Sequence, residues 1–180
     1  VSGSGLPPRS SDLARAGVDR DRYRRVDRVA TAEVRGMLRK IKPEAVVHLA
    51  GMAAPRESEE DPYRAFRVNA AGTLCLMEAV SGLSLRLVMV VSTSSVYSGS
   101  SSLLTEGSAL APHSLYGLTK LQSEMIARFY YEQRGVPATI LRPFNQIGPG
   151  QDVRFVLPNL ARQVAGIEKN PSLPSEINVG

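Results

Sequence analysis

The chain has 180 residues, 43% hydrophobic and 22% charged, which suits one globular domain with a real core. Its net charge is +5, and nine arginines fall between Arg9 and Arg39, but Tyr23 is the one aromatic among them, so no stacking platform for nucleic acid is visible and no nucleic-acid partner is expected. No apolar run approaches the roughly 18–20 residues of a membrane span, and the single Cys75 with two histidines argues against a disulfide framework and a usual zinc site. A protein without membrane or metal, in a reducing cytoplasmic setting, is the expectation; the opening VSGSGLPPRSSD has no apolar core to serve as a signal peptide.

Residues 1–23 read as tail or loop. The spacing of Val34, Met37, Leu38 and Ile41 predicts a helix over 31–42, with Thr31 as its cap and Pro43 as its stop. The apolar run 44-EAVVHLAG-51 reads as a strand buried on both faces. A helix over 62–80 opens on Pro62. A second buried strand spans 85–93, and a helix spans 114–135 with Gly135 as its stop. A third strand covers 137–144, a turn falls at 148-GPG-150, and a last helix covers 154–169. The end, from Glu176, reads as a further extended segment. This alternation predicts an α/β fold, a partial Rossmann-like parallel sheet with helices on both faces.

In such sheets ligands bind beyond the carboxyl ends of the strands. The first strand ends in 48-HLAGMAAP-55, where small residues allow close approach of a flat ligand or simply ease packing. His48 reads as a core histidine. The second ends in 92-STSSVY-97, either a hydroxyl set or a Ser/Thr turn. The third ends in 142-RPFNQIGPGQ-151, with Asn145 free to accept and donate or to serve the turn. Tyr116 and Lys120 stand one helical turn apart on one face. A Tyr-x-x-x-Lys spacing is weak by itself. Beside Thr93 it describes a working set, in which the ammonium lowers the phenol's pKa and the phenol exchanges a proton near neutral pH.

Taken together, HLAG, VN-x-x-GT, ST-x-x-VY, Y-x-x-x-K and RPFN-x-x-GPGQ resemble the extended short-chain dehydrogenase/reductase family, over residues 24–180. The resemblance implies NAD or NADP as cofactor, a nucleotide-sugar substrate and a homodimer. It implies a partial dinucleotide-binding domain over 24–150 and the start of a substrate-binding region over 151–180. It implies Thr93, Tyr116 and Lys120 as catalytic residues. It implies cofactor contacts from Asp27, Leu49, Ala50, Gly51, Asn69, Ser92, Pro143 and Phe144, with Tyr116 and Lys120 sharing that task. It implies substrate contacts from Ser94, Ser95, Asn145 and Arg154. The dimer would form through the helices at 62–82 and 114–134, where Leu76, Met77, Ile126 and Phe129 serve either an interface or the core.

Within the family the run RPFNQIGPGQ and the helix after it are similar to the GDP-mannose branch. That likeness implies reduction of a GDP-4-keto-6-deoxy-hexose at C4, with Tyr116 as proton donor; a 4-epimerase or 4,6-dehydratase is the alternative. Dehydratases of the family carry a carboxylate after the catalytic Thr, and Thr93-Ser94-Ser95 has none. A catalytically silent nucleotide-binding or interaction protein is the reading from another class. The family's Gly-rich turn is not matched by Gly3 and Gly5 in SGSGLPPRSS, so the chain reads as a fragment without that N-terminal unit and most of the C-terminal substrate domain.

Overall fold

The computed structural model of the chain describes residues 26–27, 29–99, 103–153, 155–170 and 176–178. The tail over 1–23, the Gly3–Gly5 segment and Arg154 lie outside the described residues. Two compact units are present, Val1–Pro143 and Phe144–Gly180.

In the first unit, α1 (Thr31–Ile41) buries Val34 and Leu38. Thr31 is its first helical residue and not its cap; Ala30 holds the cap position and offers no side-chain bond. The helix closes on Lys42 in the left-handed region at φ 49°, whose N–H bonds the Leu38 carbonyl, because Pro43 cannot extend the helix.

Three strands follow, β1 (Ala45–His48), β2 (Leu87–Val91) and β3 (Ala138–Leu141), parallel and in the order β1-β2-β3. Val46 pairs in register with Val88, and Val90 with Ile140. These residues share one face, and the side chains of α1, α4 and α5 pack against it. The parallel α/β sheet is the fold class read from the sequence. The strands are less evenly covered than their apolar runs suggested. Val47 and Leu141 on the opposite face are 53% and 47% exposed, so β1 is not buried on both faces. An apolar run reports hydrophobicity but not which neighbours cover it.

A short helix, α2 (Pro55–Glu60), follows β1 and carries too few residues to show helical spacing. The helix expected over 62–80 is continuous but not uniform. It runs as α3 (Pro62–Phe66), a π-helical segment (Arg67–Ala71) and α4 (Gly72–Val80). Asp61 caps it, accepting from Arg64 N at 3.0 Å. Gly72 N–H reaches the carbonyl of Arg67, five residues back, as a π turn requires.

Helix α5 (Leu115–Arg134) carries Tyr116 and Lys120. Ser114 Oγ caps it, accepting from Gly117 N at 3.1 Å, and Gly135 ends it at φ 64°. Glu59 of α2 adds a carboxylate at the same N-terminus, accepting from Leu115 N at 2.8 Å. The core joins Val34 and Leu38 to Met77, Val80, Val88, Val90, Ala127 and Tyr130.

In the second unit, Gln151 N closes the glycine turn onto Gly148 O at 3.2 Å. Helix α6 (Val156–Lys169) accepts Pro158 because it falls in the first turn, where an N–H has no helical partner. Residues 176–178 form no strand; Gln163 holds Asn178 through two hydrogen bonds of 2.8 and 2.9 Å.

Met77 is fully buried where α4 meets the sheet. Met77→Ala is expected to lower unfolding free energy by about 2–4 kcal/mol, read as a drop in urea midpoint. Leu103→Ala, at a side chain 93% exposed, is expected to stay within about 0.5 kcal/mol.

Candidate active site

The ends of β1 and β2 meet at the first turns of α5. After β1, Leu49 is 70% exposed, and Ala50 and Gly51 are half-buried. Gly51 is required by its neighbours. A Cβ there would stand 3.0 Å from Asn69 Oδ1 and 3.8 Å from Lys120 Nζ. The Asn69 side chain is buried at the π turn. Its Oδ1 accepts from Met52 N at 2.8 Å, and its Nδ2 donates to Thr119 Oγ1 at 2.9 Å. Its backbone carbonyl accepts from the hydroxyls of Thr73 and Ser123 at 2.7 and 3.0 Å. His48 Nε2 lies 3.1 Å from Thr73 Oγ1, which makes it a buried member of this network.

After β2, Thr93 is buried and caps the short turn Ser94–Val96, accepting from Ser95 N at 3.2 Å. The Tyr116 phenol lies beside the Thr93 side chain, near enough for that hydroxyl to act on its pKa. Gly117 permits this meeting, because a Cβ at that position would stand 2.5 Å from Ser95 O. Lys120 is buried and donates from Nζ to the Val91 carbonyl at the end of β2. Ser94 N donates to Pro143 O at 2.9 Å, which ties the end of β3 to the same loop. Thr93, Tyr116, Lys120, Asn69, Gly51, Ser94, Ser95 and Pro143 are therefore neighbours or bonded neighbours of one another.

Electrostatics set the resting state. Burial raises the Tyr116 pKa above that of a free phenol, and the bond from Thr93 offsets part of the rise. Burial lowers the Lys120 pKa from 10.5 to about 8, against an opposing pull from the Glu124 carboxylate. The sequence expectation was that Lys120 lowers the phenol's pKa. In this geometry burial dominates instead, and Lys120 spends a proton on the Val91 carbonyl.

Several features fit a dinucleotide. Ser92 Oγ is buried with no hydrogen-bond partner among the described residues, so a donor stands ready beside Thr93. Gly51 keeps the end of β1 free of a side chain beside Asn69 and Lys120. Asp27 lines a cavity of about 280 Å³ with Val29, Arg64, Arg67 and Val68, and its carboxylate lies 4.0 Å from the Arg67 guanidinium. Phe144 and Asn145 are exposed and belong to the second unit.

Sequence reasoning missed one charged group. Arg142 forks onto Glu124, with contacts of 2.8, 3.0 and 3.1 Å, and donates to the Tyr97 hydroxyl at 3.1 Å. Its one signal was spacing, because Glu124 follows Lys120 by a helical turn.

Lys120 links stability to pH. Its folded pKa lies below the unfolded one, so between pH 8 and 10.5 the unfolded chain binds more protons and stability rises with pH. From pH 7.5 to 9.5 this contributes about 2 kcal/mol. Urea midpoints are expected to rise over that interval, and Lys120→Met is expected to remove the rise. Tyr116 acts in the opposite sense, and only above the ordinary phenol range.

A family model described as GDP-mannose 4,6 dehydratase matches residues 14–178. The chain is 33% identical over 145 residues to GDP-6-deoxy-D-mannose reductase of Pseudomonas aeruginosa, covering 76% of this chain and 48% of that one. It is 36% identical to UDP-glucose 4-epimerase 4 of Oryza sativa subsp. japonica, covering 72% and 38%. Among solved structures it resembles UDP-glucuronic acid 4-epimerase of Bacillus cereus, in complex with UDP-glucuronic acid and NAD, at a TM-score of 0.78 and 28% identity over 87% of this chain and 49% of that one. It also resembles RMD of Pseudomonas aeruginosa, complexed with NADPH, at 0.76 and 29% over 83% and 52%. The chain thus spans about half the length of these relatives. With the strand-end geometry, these likenesses show that the chain belongs to the GDP-mannose 4,6 dehydratase family, within the extended short-chain dehydrogenases/reductases that act on nucleotide sugars.

Proposed function

We propose that the intact protein is an NAD(P)-dependent reductase that converts the C4 ketone of a GDP-4-keto-6-deoxy-hexose to an alcohol. The observation that carries this reading is the gathering of Thr93 and the half-buried Tyr116 beyond β2, with the buried Lys120 one turn behind the phenol. A phenol is protonated at neutral pH and can give that proton to an alkoxide as it forms. Epimerases and dehydratases start by removing a proton, which suits a phenolate. Thr93-Ser94-Ser95 also lacks the carboxylate that a dehydratase needs beside its threonine.

Leu49, Ala50, Gly51, Asn69 and the free Ser92 hydroxyl would hold the dinucleotide, with Asp27 at its adenine end. Bound and reduced, the nicotinamide would supply a hydride. Thr93 would hold the C4 oxygen by a hydrogen bond, and Tyr116 would hand that oxygen its proton. Lys120 would release Val91 and grip the nicotinamide ribose, and its positive charge would favour the phenolate left behind. Pro143 would border the nicotinamide, and Ser94 and Ser95 would meet the sugar nucleotide. Similarity to a GDP-6-deoxy-D-mannose reductase supports the choice of sugar. Similarity to UDP-sugar 4-epimerases supports epimerisation at C4 as the second reading, since it needs the same hydroxyl pair.

The intact protein would act as a homodimer. Leu76 and Met77 are in the core and Ile126 packs against it, so they are not available to a partner. A different stripe on α5 is free: Leu118, Met125 and Phe129 are 43%, 65% and 51% exposed and follow helical spacing, with Leu74 of α4 exposed at 44%.

With a GDP-4-keto-6-deoxy-hexose and reduced cofactor, the intact protein is expected to form the C4 alcohol. Tyr116→Phe is expected to slow turnover by about 10²–10⁴-fold while reduced-cofactor binding, read by nicotinamide fluorescence, changes little. Undiminished turnover would remove Tyr116 from the role. Interconversion of UDP-hexoses at C4, with no reduction of the keto sugar, would favour the epimerase. For the dimer, Met125→Glu with Phe129→Glu is expected to halve the mass measured by light scattering; an unchanged mass would place the interface elsewhere.

A further inference from the structure

We propose that Glu124, clamped by Arg142, is a positioning residue that holds Lys120 in its ammonium form and fixes the loop bearing Thr93. The inference rests on the reading of Tyr116 and Lys120 as the working pair. Glu124 lies one helical turn beyond Lys120 and two beyond Tyr116, on one stripe of α5. Its side chain is 4% exposed. A carboxylate so buried stays charged only with a matched partner. The Arg142 fork supplies it, reaching both carboxylate oxygens.

Arg142 has further tasks. One nitrogen donates to the Tyr97 hydroxyl and the Glu106 carbonyl, at 3.1 and 3.0 Å. Its guanidinium also lies 5.0 Å from the Tyr97 ring centre. Tyr97 ends the loop that carries Thr93, and Arg142 itself precedes Pro143. The pair thus joins the catalytic helix to the ends of β2 and β3. Of the charges near Lys120, Glu124 is the one that favours its protonated form. Several titratable groups on the elements against α5 have partners of their own. Glu59 holds Leu115 N, Arg67 faces Asp27, Glu78 accepts from Tyr130, and Arg56 pairs with Glu60.

A plain structural brace would give a result of opposite sign. Burial is what lowers the Lys120 pKa, so loosening the site admits water and returns it toward 10.5. Loss of a neighbouring negative charge lowers it further. The test follows the Lys120 titration in the full chain without cofactor, using lysines reductively methylated with ¹³C and NMR. The Lys120 signal is the one lost in Lys120→Arg. Glu124→Gln is expected to lower the midpoint by about one pH unit. An unchanged or raised midpoint would overturn the proposal. Exposed Glu132, paired with Arg128 at 2.7 Å on the same helix, gives the control. Glu132→Gln is expected to leave Lys120 unchanged, and an equal shift from it would also overturn the proposal. If Glu124→Gln does not fold, Glu124→Gln with Arg142→Leu leaves no unpaired guanidinium. It is expected to lower the midpoint by a smaller amount, and a rise or no change there is equally fatal. No substrate or cofactor is present, so this outcome is separate from whether the intact protein reduces a keto sugar.

Discussion

The side-chain amide of Asn69 holds the site in one frame. It spans from the loop after β1, through Met52 N, to helix α5, through Thr119 Oγ1. Its own carbonyl accepts from Gly72 N and from the hydroxyls of Thr73 and Ser123. Every one of these groups is buried, so losing the amide would strand Met52 N without a partner, at a cost of about 1–3 kcal/mol.

On that frame the chemistry follows from burial more than from proximity. Tyr116 and Lys120 are adjacent on α5, yet the phenol is raised and the amine is lowered, and burial is the larger cause in both. Each is thereby pushed toward its neutral form. A neutral phenol suits proton donation, and an amine near its midpoint at pH 8 depends on local charge for its protonation. Thr93 and Glu124 supply opposite corrections, one to each group. The site thus rests with both groups biased toward neutrality, and Thr93 and Glu124 act against that bias.

Much of this was legible in the sequence, and the unread part has physical reasons. Short motifs at strand ends located Gly51, Thr93, Tyr116 and Lys120, because a parallel sheet gathers its strand ends along one edge. Ser114 and Gly135 declared the ends of α5 through their capping chemistry. Three features stayed hidden. The π turn has no periodic signature, because one extra residue in a helix barely alters the spacing of apolar side chains. The fork of Arg142 onto Glu124 joins positions 18 apart, and only the packing of α5 on β3 brings them together. Helix α2 is too short for spacing to reveal. The pKa of Tyr116 moves in the opposite direction to the one its lysine neighbour implies, since a sequence shows a nearby lysine and not the depth of burial.

In the proposed reaction Thr93 and Tyr116 would grip one reacting oxygen while Lys120 grips the cofactor. The most direct measurement is a crystal structure of the intact protein with oxidised cofactor and a GDP-6-deoxy-hexose. Expected are Thr93 Oγ1 and Tyr116 Oη both within hydrogen-bond distance of the sugar's C4 oxygen, with Lys120 Nζ moved from the Val91 carbonyl to the ribose. A sugar bound with its C4 oxygen on other residues, or Lys120 still on Val91, would contradict it.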